Sequence, residues 1–159
     1  MKKLTQPQPD YRLYILTRTD LPSLTPGKAA AHVGHACNAF VYENPSAENP
    51  SVMEWENQSP QGFGTTITLA ASIDQIQYIG ESKYTPGIIF GISTDPTYPY
   101  YVDKEIVTLI DSDVHTLPPE ETDTGGFVCF RSEITAAYYF GDAEDAHFRS
   151  LVSDLSLLP

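Results

Sequence analysis

An apolar run passes through a short break into a helix of small residues, and this junction limits the possible folds more than any other feature. Tyr11-Arg-Leu-Tyr-Ile-Leu16 continues through Thr17 into Arg18-Thr19-Asp20, and Leu21-Pro22-Ser23 ends it. Apolar residues point both ways along Leu13–Thr17, as in a central strand covered on both faces. Thr25 then stands as an N-cap, Pro26 takes the first helical position, and Lys28 falls in the first turn. The helix is expected from about Pro26 to Val41, burying Ala29, Ala30, Val33, Ala36, Cys37 and Phe40. Three consecutive alanines and Gly34 let it lie close to a sheet.

Residues 1–10 are polar and read as a flexible leader. Beyond the first helix, residues 44–63 are loop-like, with Met53–Glu56 as a helical turn that buries Trp55. Thr65–Ala71 reads as a strand. Ser72 caps a helix over 73–82 with Ile73, Ile76, Ile79 and Tyr78 facing inward, and Ile88–Ile92 is a further strand ending at Ser93-Thr94-Asp95. This alternation predicts a layered α/β domain with crossover connections. An aromatic turn over 96–101 follows, then short strands at 105–110 and 114–117 and an acidic loop over 118–126. Phe127–Arg131 and Ile134–Phe140 are two more strands, and Asp142 caps a last helix running to about Leu155.

The helix start carries the chemistry. Its unpaired N–H groups and partial positive charge attract anions, and Lys28 adds a full charge to that field. Helical spacing places Lys28, His32 and His35 along one polar face. Asp20 leaves one strand and Asp95 another. In an open α/β sheet, strand ends and helix starts meet at one edge, where ligands bind. His32 and His35 are spaced to share a metal, but nothing selects a third ligand, so no metal or cofactor is expected. There is no glycine-flanked serine elbow, and neither cysteine opens a helix, which disfavours a serine or thiol nucleophile.

Charge narrows the partners. The 159 residues carry a net charge of −12, a poor basis for an extended nucleic-acid groove. Residues 1–40, however, hold five cations against two acids, a local +3, while the remainder stands at −15. A small anion pocket is compatible with that distribution. No apolar run is long enough for a membrane helix, and the N-terminus lacks the apolar core of a secretory signal. Cys37 and Cys129 read as reduced packing residues. A cytoplasmic protein is expected.

Arg18-Thr-Asp-Leu21, Gly27-Lys-Ala-Ala30 and His35-Ala36 together resemble the signature of the type-2 peptidyl-tRNA hydrolases. In that family a strand ending Arg-x-Asp-Leu leads through a glycine–lysine turn into Ala-Ala-Gln-x-x-His-Ala. Gly87–Asp95 is similar to the strand that ends in the family's Asp-Ala-Gly element, and Tyr138-Tyr-Phe-Gly141 to its final strand. His32 stands where the family has glutamine, and Asp-Ala-Gly reads Asp95-Pro96-Thr97. The resemblance implies a three-layer-like α/β domain over residues 11–159, with a mixed, mainly four-stranded sheet flanked by helices. A β-rich insertion at about 96–133 would be this chain's addition.

The resemblance also implies hydrolysis of the ester joining a peptide to the 3′ end of tRNA, and a hydrolase of this kind acting on a related small ester or amide is the broader form of that expectation. Lys28, Asp20, His32 and Asp95 would form the catalytic set, with Arg18, Thr25, Gly27, His35, Thr94, Thr97 and Tyr98 around the ligand. The expected partner is peptidyl-tRNA or a nucleotide-like ligand, with no membrane; a homodimer is allowed. The alternative is a binding protein on the same scaffold, holding a nucleotide or small anion at the helix start and Tyr98–Tyr101 without turnover.

Overall fold

The computed structural model describes residues 8–83, 85–103 and 117–159. Strand β1 (Tyr11–Arg18) leads to helix α1 (Pro26–Glu43), and a second helix, α2 (Pro50–Glu56), precedes strand β2 (Thr65–Ala71). Helix α3 (Ile73–Ser82) carries the chain to β3 (Ile89–Val102). After it come β4 (Leu117–Glu121), β5 (Phe127–Asp142), the short helix α4 (Ala146–Ser150) and β6 (Ser156–Leu157). The sheet order is β3-β5-β1-β2-β6, with β4 alongside β5, six strands in all among the described residues. β1 and β2 run parallel through the α1–α2 crossover, and the other pairings are antiparallel. The α/β class and mixed sheet agree with expectation; four long strands form its body, and the short β4 and β6 extend it.

The period of two along β1 and β5 divides the core. Leu13, Ile15, Ala136, Tyr138 and Phe140 face one way, against Ala36 and Phe40 of α1 and Val52 and Trp55 of α2. Tyr14, Leu16, Ala137 and Tyr139 face the other, against Ile76 and Ile79 of α3 and Phe148 of α4. Both faces of β1 are covered, which is why it reads as an unbroken apolar run. Tyr138 crosses directly over Gly91 of β3, where an added Cβ would stand 2.1 Å from the tyrosine oxygen. Its hydroxyl donates to the carboxylate of Glu43 and so ties the end of α1 to the sheet.

Several expected boundaries differ. β3 continues through the aromatic segment as strand, absorbing it with register shifts at Ser93/Thr94 and Asp95/Tyr98. β5 is likewise one strand where two were expected, because it pairs with β3 along almost its whole length. Its other edge is shared: β4 pairs with the first half and β1 with the second. Leu117 is strand as expected, but the strand continues through Pro118–Glu121, where an acidic loop was expected. Asp145, not Asp142, caps the last helix, accepting hydrogen bonds from the N–H groups of His147 and Phe148, and that helix ends at Ser150. Ala30 and Tyr78 are exposed rather than inward-facing. The strand expected at 105–110, and that at 114–117 up to Leu117, lie outside the described residues. Among the described residues no helix is long and apolar enough to cross a membrane. Cys37 and Cys129 are both free thiols, half-buried and buried respectively, and burial raises the pKa of each.

Candidate active site

The site forms where α1 opens against β3. Thr25 has extended backbone, and its hydroxyl accepts a hydrogen bond from the Lys28 N–H. No acidic residue lies in the first turn of α1. A lysine there works against the helix dipole, so Lys28 is not placed for helix stability. Its ammonium donates to the backbone oxygen of Ser23 at 3.0 Å and to the Ser23 hydroxyl at 3.1 Å. It also lies 5.3 Å from the centre of the Tyr98 ring.

Tyr98 is fully buried, and its hydroxyl donates to the carbonyl of Pro22 at 2.7 Å. The ring therefore forms the wall behind Lys28 and offers no face for stacking a base. His32 packs on the same ring, 5.8 Å between centroids. It is 3% exposed, although the polar-face reading of α1 places it outward. The inward stripe of the helix is Ala29, His32, Ala36 and Phe40, a 3.6-residue period that takes in His32 and turns Ala30 out. Burial pushes the His32 pKa below the ordinary histidine value; the Asp95 carboxylate pulls it up, and His35 and Lys28 push it further down. Its Nδ1 is buried with no hydrogen-bond partner among the described residues.

Asp95 stands at the register shift of β3. Its Oδ1 accepts from the Thr97 N–H at 2.8 Å and from the Thr97 hydroxyl at 3.2 Å. The carboxylate is thus oriented by its own turn, close enough to His32 to raise its pKa. Lys28 and His32 are brought together on the Tyr98 ring, and Asp95, held by Thr97, acts on His32 through its charge. Thr94 and Thr97 are exposed, as are Thr25, Gly27 and His35 around the helix start.

The contacts of Asp20 are with Arg18 and α3. Its carboxylate is held by Arg18 through bonds of 2.8 and 3.2 Å, and it accepts from the Ile73 N–H at the start of α3. The Arg18 bonds hold its pKa below the ordinary carboxylate value, overcoming partial burial, and the Ile73 N–H assists. Arg18 itself is 7% exposed and also donates to Glu133 at 2.5 Å and to the Ile134 carbonyl at 3.1 Å. Glu133 accepts from the Tyr100 hydroxyl and pairs with Arg131 at 3.3 Å. Burial and that bond to Glu133 push the Tyr100 pKa up to about 12, so the phenol stays a donor. The two groups meet where Tyr98 and Tyr100 pack edge to face, 5.5 Å apart.

Sequence reading missed Ser23 and Glu133, and it placed Tyr100 among the aromatics that would hold a ligand, whereas its hydroxyl is engaged by Glu133. Glu133 lies 115 residues from Arg18, and no local pattern announces such a pair. Ser23 lies in a Pro-Ser turn whose backbone angle no residue spacing reveals.

The family model described as Peptidyl-tRNA hydrolase PTH2 matches residues 11–97. This span covers more than half of the chain and runs from β1 to the Asp95–Thr97 turn. No curated protein matches the chain.

Proposed function

The chain belongs to the peptidyl-tRNA hydrolase PTH2 family, and we propose that it hydrolyses the ester joining a peptide to the 3′ end of tRNA. The observation that carries this reading is Lys28: a cation held at a helix start against a buried ring, with the oriented Asp95 carboxylate on the adjoining strand. An ester needs a directed water and a positive group where the oxyanion develops. Asp95 uses Oδ1 on Thr97, and Oδ2 is the oxygen available to orient a water. Lys28 has three N–H donors, two of them on Ser23, and the third, without a partner among the described residues, is the one to meet the carbonyl oxygen.

The water oxygen bonds to the ester carbon while its proton passes to Asp95, and the negative charge grows on the oxygen facing Lys28. The bond from that carbon to the ribose oxygen then breaks. The proton returns from Asp95 to the ribose oxygen, which leaves the peptide as a carboxylic acid and the tRNA intact. His32 takes no proton in this scheme: it is buried and held neutral. Arg18 and Asp20 shape the edge by fixing the start of α3 rather than touching the ester.

The buried Tyr98 favours this reading over a nucleotide-binding one, because its ring is already enclosed. The test is release of peptide from N-blocked aminoacyl-tRNA by wild type and Asp95→Asn. A loss of about 10²-fold or more in kcat with unchanged fold is expected when the water-orienting carboxylate is neutralised. Equal rates would remove Asp95 from the mechanism.

A further inference from the structure

Ser23 has φ of +60°, the one non-glycine residue among those described with a left-handed backbone. Such a conformation is unfavourable for a residue with a Cβ and persists only where its surroundings hold it. The surroundings here are specific. The Ser23 hydroxyl donates to the Pro99 carbonyl of β3 at 2.9 Å while accepting from the Lys28 ammonium at 3.1 Å. The Ser23 carbonyl takes a second ammonium proton at 3.0 Å. One residue earlier, the Pro22 carbonyl accepts from Tyr98. Two consecutive loop residues are thereby stitched to two consecutive residues of β3, the strand that also carries Asp95.

We propose that Ser23 is a positioning residue for Lys28, a role resting on the hydrolase reading above. Its hydroxyl is a fixed joint. One bond takes its placement from β3, and the other passes that placement to the ammonium, so Lys28 is registered against the strand that carries Asp95. The strained backbone accompanies this geometry: in the left-handed turn the carbonyl and hydroxyl of Ser23 face the same ammonium.

Three substitutions separate positioning from simple support of the fold. Ser23→Ala and Ser23→Gly both remove the hydroxyl, but glycine relieves the backbone and alanine keeps it strained. Both are expected to lose about tenfold in kcat at nearly unchanged KM, the scale of a displaced catalytic group, although the glycine variant melts higher. Ser23→Asn tolerates the left-handed backbone and keeps an acceptor oxygen, and it recovers part of the loss. Activity that follows melting temperature across the three variants would overturn the proposal.

NMR relaxation at the Lys28 Cε needs no substrate. Greater mobility in Ser23→Ala and Ser23→Gly is expected, and mobility unchanged from wild type would defeat the positioning role by itself. A folded wild type that releases no peptide would instead defeat the hydrolase reading, leaving the NMR result to decide the role of Ser23.

Discussion

The ammonium of Lys28 stands 5.3 Å from the centre of the Tyr98 ring, and that ring has no exposed surface. A cation over an aromatic face is attracted by the negative charge density of the ring, and a buried ring cannot swing aside. Tyr98 therefore joins three tasks: it packs the core, anchors the Pro22 carbonyl, and backs the lysine.

Two substitutions at Tyr98 should part those tasks. Tyr98→Phe keeps the ring under Lys28 and loses only the hydroxyl bond to Pro22, for about 1 kcal/mol of stability. Tyr98→Ala empties a fully buried aromatic site and costs about 3–5 kcal/mol. Denaturant unfolding of both variants checks this. A phenylalanine variant as damaged as the alanine one would mean that the Pro22 bond, not the ring, holds this region.

His32 gives a pH signature. Its folded pKa lies below the unfolded value of about 6.5, so the unfolded chain binds the proton first. Stability from this residue is present above about pH 6.5 and is lost as pH falls from there through the folded value. His32→Gln should flatten that limb of the stability curve. Asp95→Asn removes the charge that favours the imidazolium and should lower the His32 pKa further in an NMR titration. An unchanged titration would place the two groups out of electrostatic reach.

Asp20 acts in a more acidic window. Its carboxyl is depressed in the folded state, so its contribution is present above the unfolded value of about 3.9 and is lost as pH falls through the lower folded value. Asp20→Asn should reduce stability at neutral pH and flatten the acid limb below about pH 4. The side chain is 36% exposed, so added salt should weaken the effect. Asp20→Asn should retain most peptide release, because the carboxylate is already engaged by Arg18 and by the Ile73 N–H at the start of α3. A loss as deep as that of Asp95→Asn would return Asp20 to the catalytic set.

The sequence is legible where structure is local. β2 and α3 lie at the expected residues, because a short apolar strand and the Ser72–Gln75 capping box each announce themselves within a few positions. The opening of α1 follows from Thr25 and Pro26 for the same reason. The long β3–β5 ribbon is not legible, since its prolines and aromatics mimic a turn and only pairing with a distant strand, through two register shifts, makes it continuous. The site divides in the same way. Lys28 and Asp95 stand out at a helix start and a strand end. The burial of His32 depends on the sheet beneath α1, and the capture of Asp20 by Arg18 and Ile73 depends on where α3 begins.

We propose above all that Lys28 stabilises the developing oxyanion of a peptidyl-tRNA ester. The direct measurement is peptide release from N-blocked aminoacyl-tRNA at low salt, wild type against Lys28→Ala, with the fold of both verified by circular dichroism. Turnover by the wild type is expected, with a loss of about 10²–10³-fold in kcat for the variant, the scale set by removing one oxyanion donor. A folded wild type without turnover, or a Lys28→Ala variant that keeps the wild-type rate, would contradict it.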